Sequence, residues 1–549
     1  MGVEGGEGQS VNRFAALLDA LLFTPSRNGK LRLMREYFAS VPDPERGWAL
    51  AALTGELVFD EAKPNQVRAL AAARVDPELL EWSYDFVGDL AETVSLIWPE
   101  TANGEDPVPS LAEIVEQLKG TSRGEVGRLL EPWLDSLDAT GRWALLKLVT
   151  GSLRIGVSAR LAKTALAEWG GVEVNRIEEV WHGLAPPYRS LFDWLEGRQP
   201  VPQTGDLPTF CPLMLAQSLE DTDLEGLDSR DYLAEWKWDG IRVQLVARGT
   251  ERRLYSRSGD EIGAAFPEVR AAIPAEVTLD GELLVLRPRP NPPSRTGEGT
   301  GGGCYGEVAS FNDLQQRLNR KTPNPKLLRD FPAAVRLYDM LREGGEDLRG
   351  YPFAERRRRL ESWYALEPRM ALDLSPLVPF TSWAELRELR DGARERGIEG
   401  LMLKRADSAY VAGRPKGPWF KWKRGALTLD TVLLYAQRGH GKRSSFYSDY
   451  TFGAWCGSEL VPVGKAYSGF TDEELRRLDR WVRNNTVQRY GPVREVTPEV
   501  VLEIAFDSVH RSTRHKSGLA MRFPRIHRIR WDKPVGEADT LEALEEMLT

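Results

Sequence analysis

The sequence predicts a multidomain protein in which an all-α region, residues 1–204, is followed by an α+β region, 205–425, and a small β-barrel, 426–549. Three observations predict this. At 549 residues the chain is several times the ~150 residues of an average domain, so more than one core is required. From Val11 to about Pro200 apolar residues recur with helical period, whereas after Pro202 short β-rich runs broken by turn residues take over. From about Ala426 the runs become closely spaced strands with one intervening helical stretch, a spacing that suits a barrel.

The opening helix is carried by Phe14, Leu17, Leu18, Leu21 and Leu22, at i, i+3, i+4, i+7 and i+8. A second runs from Trp143 to Val149 and closes at Gly151; a third follows Ser158, a capping residue type, before Leu161 to Trp169. SLRIGV links them. In the middle region RVQLVA (242–247), VTLDGELLVL (277–286) and AAVRLYDML (333–341) read as strands, with helices over Ala354 to Trp363 and Ser382 to Arg396. Arg287 to Gly303 is a Pro- and Gly-rich insertion, expected to be a mobile surface loop. The last region supplies TLDTVLLYAQ, YTFGAWC, ELVPVGKAY and VLEIAFD, with a helix near Asp472 to Asn485.

Lys plus Arg is 73 and Asp plus Glu is 81, so 73 − 81 = −8, and any surface for a polyanion must be a local concentration of positive charge. With 42% hydrophobic residues, 28% charged and 17 Trp, the chain has the apolar material to fold. Cys211, Cys304 and Cys456 form no C-x-x-C pair, which points to a reducing compartment. The first ten residues do not read as a signal peptide and no run approaches the ~20 apolar residues of a membrane span. The expectation is a cytoplasmic monomer, associated with the nucleoid in a prokaryote, with no membrane partner.

No Walker loop, zinc-protease helix, G-x-S-x-G elbow or Cys/His cluster occurs. The informative stretch is AEWKWDGIRVQL (234–245): if it is extended before Gly240, Glu235, Lys237 and Asp239 project to one side, two carboxylates flanking one amine. Alone this equally describes a charged surface strand and turn. It is followed, however, by SRSG (256–259), LDGELL (279–284), EGLMLK (399–404), WFKWK (419–423) and RFPRIHRIRWDK (522–533). In this order and spacing the six groups resemble the motif series of the ATP-dependent DNA ligases, within the covalent nucleotidyltransferases. LLKLVTGSLRIGVS (145–158) resembles the helical DNA-binding domain that precedes the catalytic core in many of them.

The resemblance implies a DNA-binding domain, an adenylation domain and an OB-fold, acting on nicked duplex DNA. It makes Lys237 the nucleophile that takes AMP from ATP, passes it to a 5′-phosphate, and so lets the 3′-hydroxyl displace it. Glu235 would read the adenine amino group through its side chain or adjacent backbone, and Tyr338 would stack on the base. Arg242, Arg257, Lys421 and Lys423 would hold phosphates. Glu282 would be the ribose or metal-side carboxylate and Glu399 would support Mg2+, with Mn2+ a possible substitute. Arg530, Asp532 and Lys533 would form a mobile clamp on the pyrophosphate, with Arg522 and Arg525 as nearby anion contacts, and Arg154 would meet DNA phosphates. The chemistry asks for cations near Lys237: an amine attacks phosphorus only when neutral, while its ordinary pKa is ~10.4. If WFKWK lies beside Lys237, Lys421 and Lys423 serve that purpose.

Blander readings stand beside these. Asp280-Gly281-Glu282 could be a turn between strands and Tyr338 a core residue. Arg356 to Arg359, inside AERRRRLESW, reads as a solvated helix face rather than a nuclear signal. RNA ligation or mRNA capping is the alternative chemistry, weakened by the helical domain and SLRIGVS; a DNA-binding protein with a decayed transferase core is the non-enzymatic one.

Overall fold

In the computed structural model, residues 11–100, 108–151, 153–205, 207–288, 305–318, 320, 322–366, 371–393, 398–439, 446–513 and 515–548 are described. Of the expected Arg287 to Gly303 loop, all beyond Pro288 lies outside them, as does His440. The chain forms two compact units: Met1–Ile177 with Leu184–Pro202 and Leu427–Leu548, and Glu178–Gly183 with Gln203–Ala426.

Among the described residues the first region holds twelve α-helices between Val11 and Leu195. Of the opening helix, Val11–Phe23, the residues Phe14, Leu17, Leu18 and Leu21 are buried. The expected second helix begins earlier than read, at Ala139, because the Asp138 side chain accepts from the Gly141 amide at 2.7 Å. Ser158 caps Ala159–Gly170 as expected, accepting from Leu161 N at 3.2 Å. Between them the chain turns through Gly151 and Gly156, both left-handed (φ 68° and 67°). Buried Lys30 pins this bend by donating to the carbonyls of Ile155 and Gly156 at 2.8 and 2.9 Å.

The middle region contains twelve strands among its described residues: β1 Gln217–Ser218, β2 Tyr232–Trp238, β3 Ile241–Arg248, β4 Glu251–Ser256, β5 Val277–Pro288, β6 Tyr305–Val308, β7 Ala333–Glu343, β8 Glu346–Asp347, β9 Leu372–Leu374, β10 Leu377–Val378, β11 Ile398–Arg405 and β12 Trp419–Lys423. They form two sheets. One runs β1-β12-β11-β2-β10; the other runs β4-β3-β5-β7-β8, with β6 on β5 and β9 on β7. Asp239-Gly240 joins β2 to β3 and so carries the chain from the first sheet to the second. Trp238, Leu245, Leu279, Leu283 and Val335 are central to the core around the second sheet, and Tyr232, Ala234, Leu401, Leu403 and Trp422 to that on the first.

Two sequence readings are corrected here. Asp280-Gly281-Glu282 is no turn but lies in mid-β5, paired on both edges with β3 and β7. A Cβ on Gly281 would fall 2.4 Å from Val335 Cγ1, so the glycine permits close approach of β7 rather than a reversal. Nor is the arginine run a solvated face: in the helix Phe353–Leu366, Arg356 and Arg357 are buried while Arg358 is exposed. Arg356 donates to both oxygens of buried Asp339, at 2.8 and 3.0 Å, and to the carbonyls of Tyr351 and Ser408. A local pattern could not reveal this, because the carboxylates that pay for burial come from other elements.

The third region is built on β13 Leu427–Arg438, a long strand with β14 Tyr447–Cys456 on one edge. Its other edge is shared by β18 Val501–Phe506 along the first half and β17 Val493–Val496 along the second. Then β15 Glu459–Ala466 pairs with β14, β16 Thr486–Tyr490 with β17, and β19 Arg525–Arg530 with β18, giving a seven-stranded sheet. The helix Asp472–Asn484, where the sequence placed one, buries Leu475, Leu478 and Val482.

Candidate active site

Antiparallel pairing puts the motif residues of three strands on one face. Gly400 on β11 is the register partner of Lys237 on β2 and also of Lys423 on β12; Met402 faces both Glu235 and Lys421. Lys237, Glu235, Lys421 and Lys423 therefore share a face, joined by Lys404 two residues beyond Met402. Gly400 has φ +140°, and a Cβ there would fall 2.4 Å from Trp422 O, so only glycine fits. Because it has no side chain, the lysines on either side can converge.

They converge on Glu399. In a regular strand Glu399 and Lys404, five residues apart, would point oppositely, but a bulge falls between Ile398 and Gly400 and re-aims Glu399. Lys237 Nζ donates to Glu399 Oε2, and Lys423 Nζ lies 3.5 Å from the same oxygen. The expected placement of WFKWK beside Lys237 is thus corrected: β11 intervenes, and the nearest charge to Lys237 is a carboxylate. Lys421 completes the cationic rim; burial, Arg414, Lys423, Lys237 and Arg257 together push its ammonium below the usual range. Arg257 itself is exposed in the turn after β4.

From the second sheet comes half-buried Glu282. Burial pushes its carboxyl up to about 8, with Lys237 and Arg242 opposing the rise and Glu399 and Asp239 adding to it. Arg242, in register with Glu282, is committed inward: it donates to Asp280 at 2.7 Å, to Tyr410 Oη at 3.1 Å and to the Met214 carbonyl at 2.7 Å. Tyr338 is neither core nor free surface. It is half-buried, with Lys404 Nζ 4.3 Å and Arg242 Cζ 6.0 Å from its ring centre.

Glu235 is buried behind Lys237, ion-paired with Lys404 at 2.6 Å and Arg357 at 3.0 Å. Sequence reasoning gave no role to Lys404, Arg357, Asp280 or Tyr410. Lys404 lies in a quoted motif and could have been found from its even spacing to Gly400; Arg357 had no such signal.

The remaining candidates lie in other regions. Arg154 is exposed on the bend pinned by Lys30. In the third region Lys533 Nζ donates to Asp430 at 2.7 Å. Arg530 pairs with Asp532 at 3.2 Å and lies 3.6 and 3.7 Å from Asp430 and Glu503. Arg525 pairs with Asp507 at 3.2 Å.

A part-buried lysine amine on one sheet, rimmed by cations and close to Glu399 of that sheet and Glu282 of the other, is an arrangement suited to covalent group transfer from a phosphoanhydride. Comparison with known proteins makes this specific. Residues 213–423 match the family described as ATP dependent DNA ligase domain, and 443–533 match ATP dependent DNA ligase C terminal region. The chain is 32% identical to a probable DNA ligase of Koribacter versatilis, spanning 97% of this chain and 96% of that protein. It is 29% identical to DNA ligase 1 of Korarchaeum cryptofilum, spanning 98% of each. A solved structure described as Pmar-Lig_Pre. shares the fold at 15% identity, with a TM-score of 0.59 over 95% of this chain and 99% of that one. The chain belongs to the ATP-dependent DNA ligase family, whose members seal nicks through an adenylate intermediate. Among the described residues no helix is long and apolar enough to cross a membrane.

Proposed function

We propose that this chain seals 5′-phosphate/3′-hydroxyl nicks in duplex DNA with Lys237 as the nucleophile. The Lys237 nitrogen attacks the α-phosphorus of ATP, the bond to the bridging oxygen breaks, pyrophosphate leaves and the amine proton passes to solvent. The adenylate then moves to the 5′-phosphate oxygen, and the 3′-oxygen displaces AMP. The observation that carries this reading is the convergence of Lys237, Glu399, Lys421 and Lys423, from three strands, around a glycine where the backbone of β12 packs too closely for any side chain.

Glu399 holds the amine in place, Lys421, Lys423 and Arg257 attract the phosphates, and Tyr338 and Glu235 take the adenine. Glu282 takes the ribose or the metal side. Arg242, held by Asp280, braces this wall rather than reaching outward. Among the described residues no three or more His, Cys, Asp or Glu side chains form a metal cage. Burial raises the Glu282 carboxyl, and the nearby Glu399 carboxylate adds to the rise; two carboxylates this close fit a cation shared with substrate phosphates, as Mg2+ prefers. Bound there, Mg2+ supplies charge neutralisation to the transferring phosphoryl group.

The third region fits an OB-fold carrying the Arg530–Lys533 clamp, and the helical region, residues 1–204, a sequence-independent duplex-binding domain with Arg154 at its phosphate-contacting bend. Incubation with α-labelled ATP and Mg2+ tests the core of this proposal. Label should appear on the protein in denaturing gels and move to nicked DNA on chase; a protein that never takes label would be a DNA binder with a decayed core.

A further inference from the structure

The charges behind Lys237 are of two kinds. Arg356 donates to both oxygens of Asp339 and to two carbonyls, Asp339 also accepts from the Met340 amide, and the pair braces a helix against β7. Glu235, Lys404 and Arg357 are equally buried, at 2%, 1% and 4% exposure, yet they are built differently. Among the described residues Lys404 is ion-paired with Glu235 at 2.6 Å, and Asp339 and Arg357 lie near enough to act on its charge. Rings pack round it: Tyr338 at 4.3 Å, with Phe353 and Trp419 both at 4.7 Å. Arg357 Nη1 donates to the other Glu235 oxygen at 3.0 Å, its Nη2 to the Ser375 carbonyl at 2.6 Å and its Nε to the more exposed Glu361 at 2.6 Å.

Burying one anion between two cations is a poor way to stabilise a fold, since desolvation offsets the attraction and apolar residues would serve as well. It is an effective way to fix the orientation of a carboxylate. A carboxylate accepts hydrogen bonds and does not donate them. Held in one orientation, Glu235 can accept from the 6-amino group of adenine and disfavours a 6-oxo purine; released, its oxygens would no longer be aimed at that group. Lys404 touches both groups assigned to the base, the carboxylate and the Tyr338 ring.

We propose that Lys404 and Arg357 are positioning residues for nucleobase selection, fixing the orientation of the Glu235 carboxylate, with Lys404 also bracing the Tyr338 ring. This rests on the assignment of Glu235 and Tyr338 to the base. It extends that assignment to residues that touch no substrate.

The test uses the full chain and steady-state self-adenylylation with ATP and with inosine triphosphate, whose 6-position carries oxygen. Lys404→Met and Arg357→Met should each lower the ATP to inosine triphosphate ratio of kcat/KM by roughly 10-fold or more, chiefly through KM for ATP, as loss of a charge-assisted arrangement implies. Lys404→Arg should restore most of the ratio. Lys404→Gln, which keeps a donor but loses the charge, should also lower it and covers the case in which methionine blocks folding. A parallel fall with both nucleotides, leaving the ratio as in the parent, overturns the proposal and leaves these residues structural. Glu235→Gln separates the two levels. If it alone lowers the ratio, positioning by Lys404 and Arg357 is wrong; if even it leaves the ratio unchanged, the assignment of Glu235 to the base is wrong.

Discussion

Two lysine–glutamate pairs span the same ladder between β2 and β11, and their difference shows how one sheet serves both recognition and chemistry. In the inner pair, the side chains of Glu235 and Lys404 are both 2% exposed. In the outer pair, Lys237 and Glu399 are 22% and 16% exposed. The groups are the same; the solvent is not. Inside, neither charge can be released without leaving the other stranded in a medium of low dielectric. Outside, water and an incoming phosphate or cation can replace either partner, so a lysine that must change its covalent state can leave its carboxylate.

The largest effect that this comparison predicts is chemical. Lys237→Ala should abolish covalent AMP attachment while leaving nick binding nearly intact, and Lys237→Arg should fail too, since a guanidinium stays protonated. Denaturing gels with labelled ATP and a gel-shift with nicked duplex check both halves. Next comes stability. Glu235→Ala strands buried Lys404 and takes from Arg357 one of its two carboxylates, and should cost about 3–5 kcal/mol, whereas Glu399→Ala, at a part-exposed pair, should cost under about 1 kcal/mol despite disabling adenylylation. Urea titrations that gave equal losses would break the comparison between inner and outer pairs.

A third effect separates steps of the reaction. Lys533 and Arg530 belong to the outer kind, held at the surface of their region by Asp430 and Glu503. Changing both to Ala should slow adenylylation of Lys237 about 100-fold, as loss of charge at the leaving pyrophosphate implies. Sealing of a chemically pre-adenylylated nick, which releases no pyrophosphate, should fall far less. A fourth concerns pH. The Glu282 carboxyl is raised to about 8 by burial, so the folded state binds its proton more tightly than the unfolded chain does. The stability this contributes is complete below the ordinary glutamate range and is lost as pH rises through about 8. In the absence of metal, Glu282→Gln, which stays neutral, should therefore gain in Tm over the parent between pH 5 and pH 8.5; a constant difference would show that Glu282 is not so shifted.

Much of the outer site was legible because it is written in short, local motifs: Lys237, Glu399, Lys421 and Lys423 come from runs a few residues long. Their arrangement was less so. Strand order is set by pairing across more than 150 residues of sequence, so nothing local showed that β11 would lie between β2 and β12, or that a bulge would turn Glu399 onto the face of Lys404. The inner site was least legible. Arg357 reads as surface in AERRRRLESW, and its partner Glu235 lies 122 residues away. The fold reading succeeded where periodicity governs, in the opening helix and in β3, β5 and β7; at Gly281 the strand reading holds against its turn alternative, because the glycine there serves close strand packing.

The smallest effect repeats the contrast at the helical bend. Lys30 and Arg154 are its two cations: Lys30 is 8% exposed and spends its ammonium on the carbonyls of Ile155 and Gly156, while Arg154 is exposed beside them. Lys30 maintains the shape, and Arg154 is available to a partner. Phosphate contacts add affinity without reading sequence, and each one lost lowers the dependence of log K on log salt by about one unit. Arg154→Ala should weaken nick binding several-fold, reduce the salt slope by about one and leave both Tm and self-adenylylation unchanged. Lys30→Met should lower Tm instead, because it leaves two carbonyls of a left-handed bend without their donor. An unchanged salt slope in Arg154→Ala would remove this bend from the DNA-contacting surface, whatever happened to Lys30.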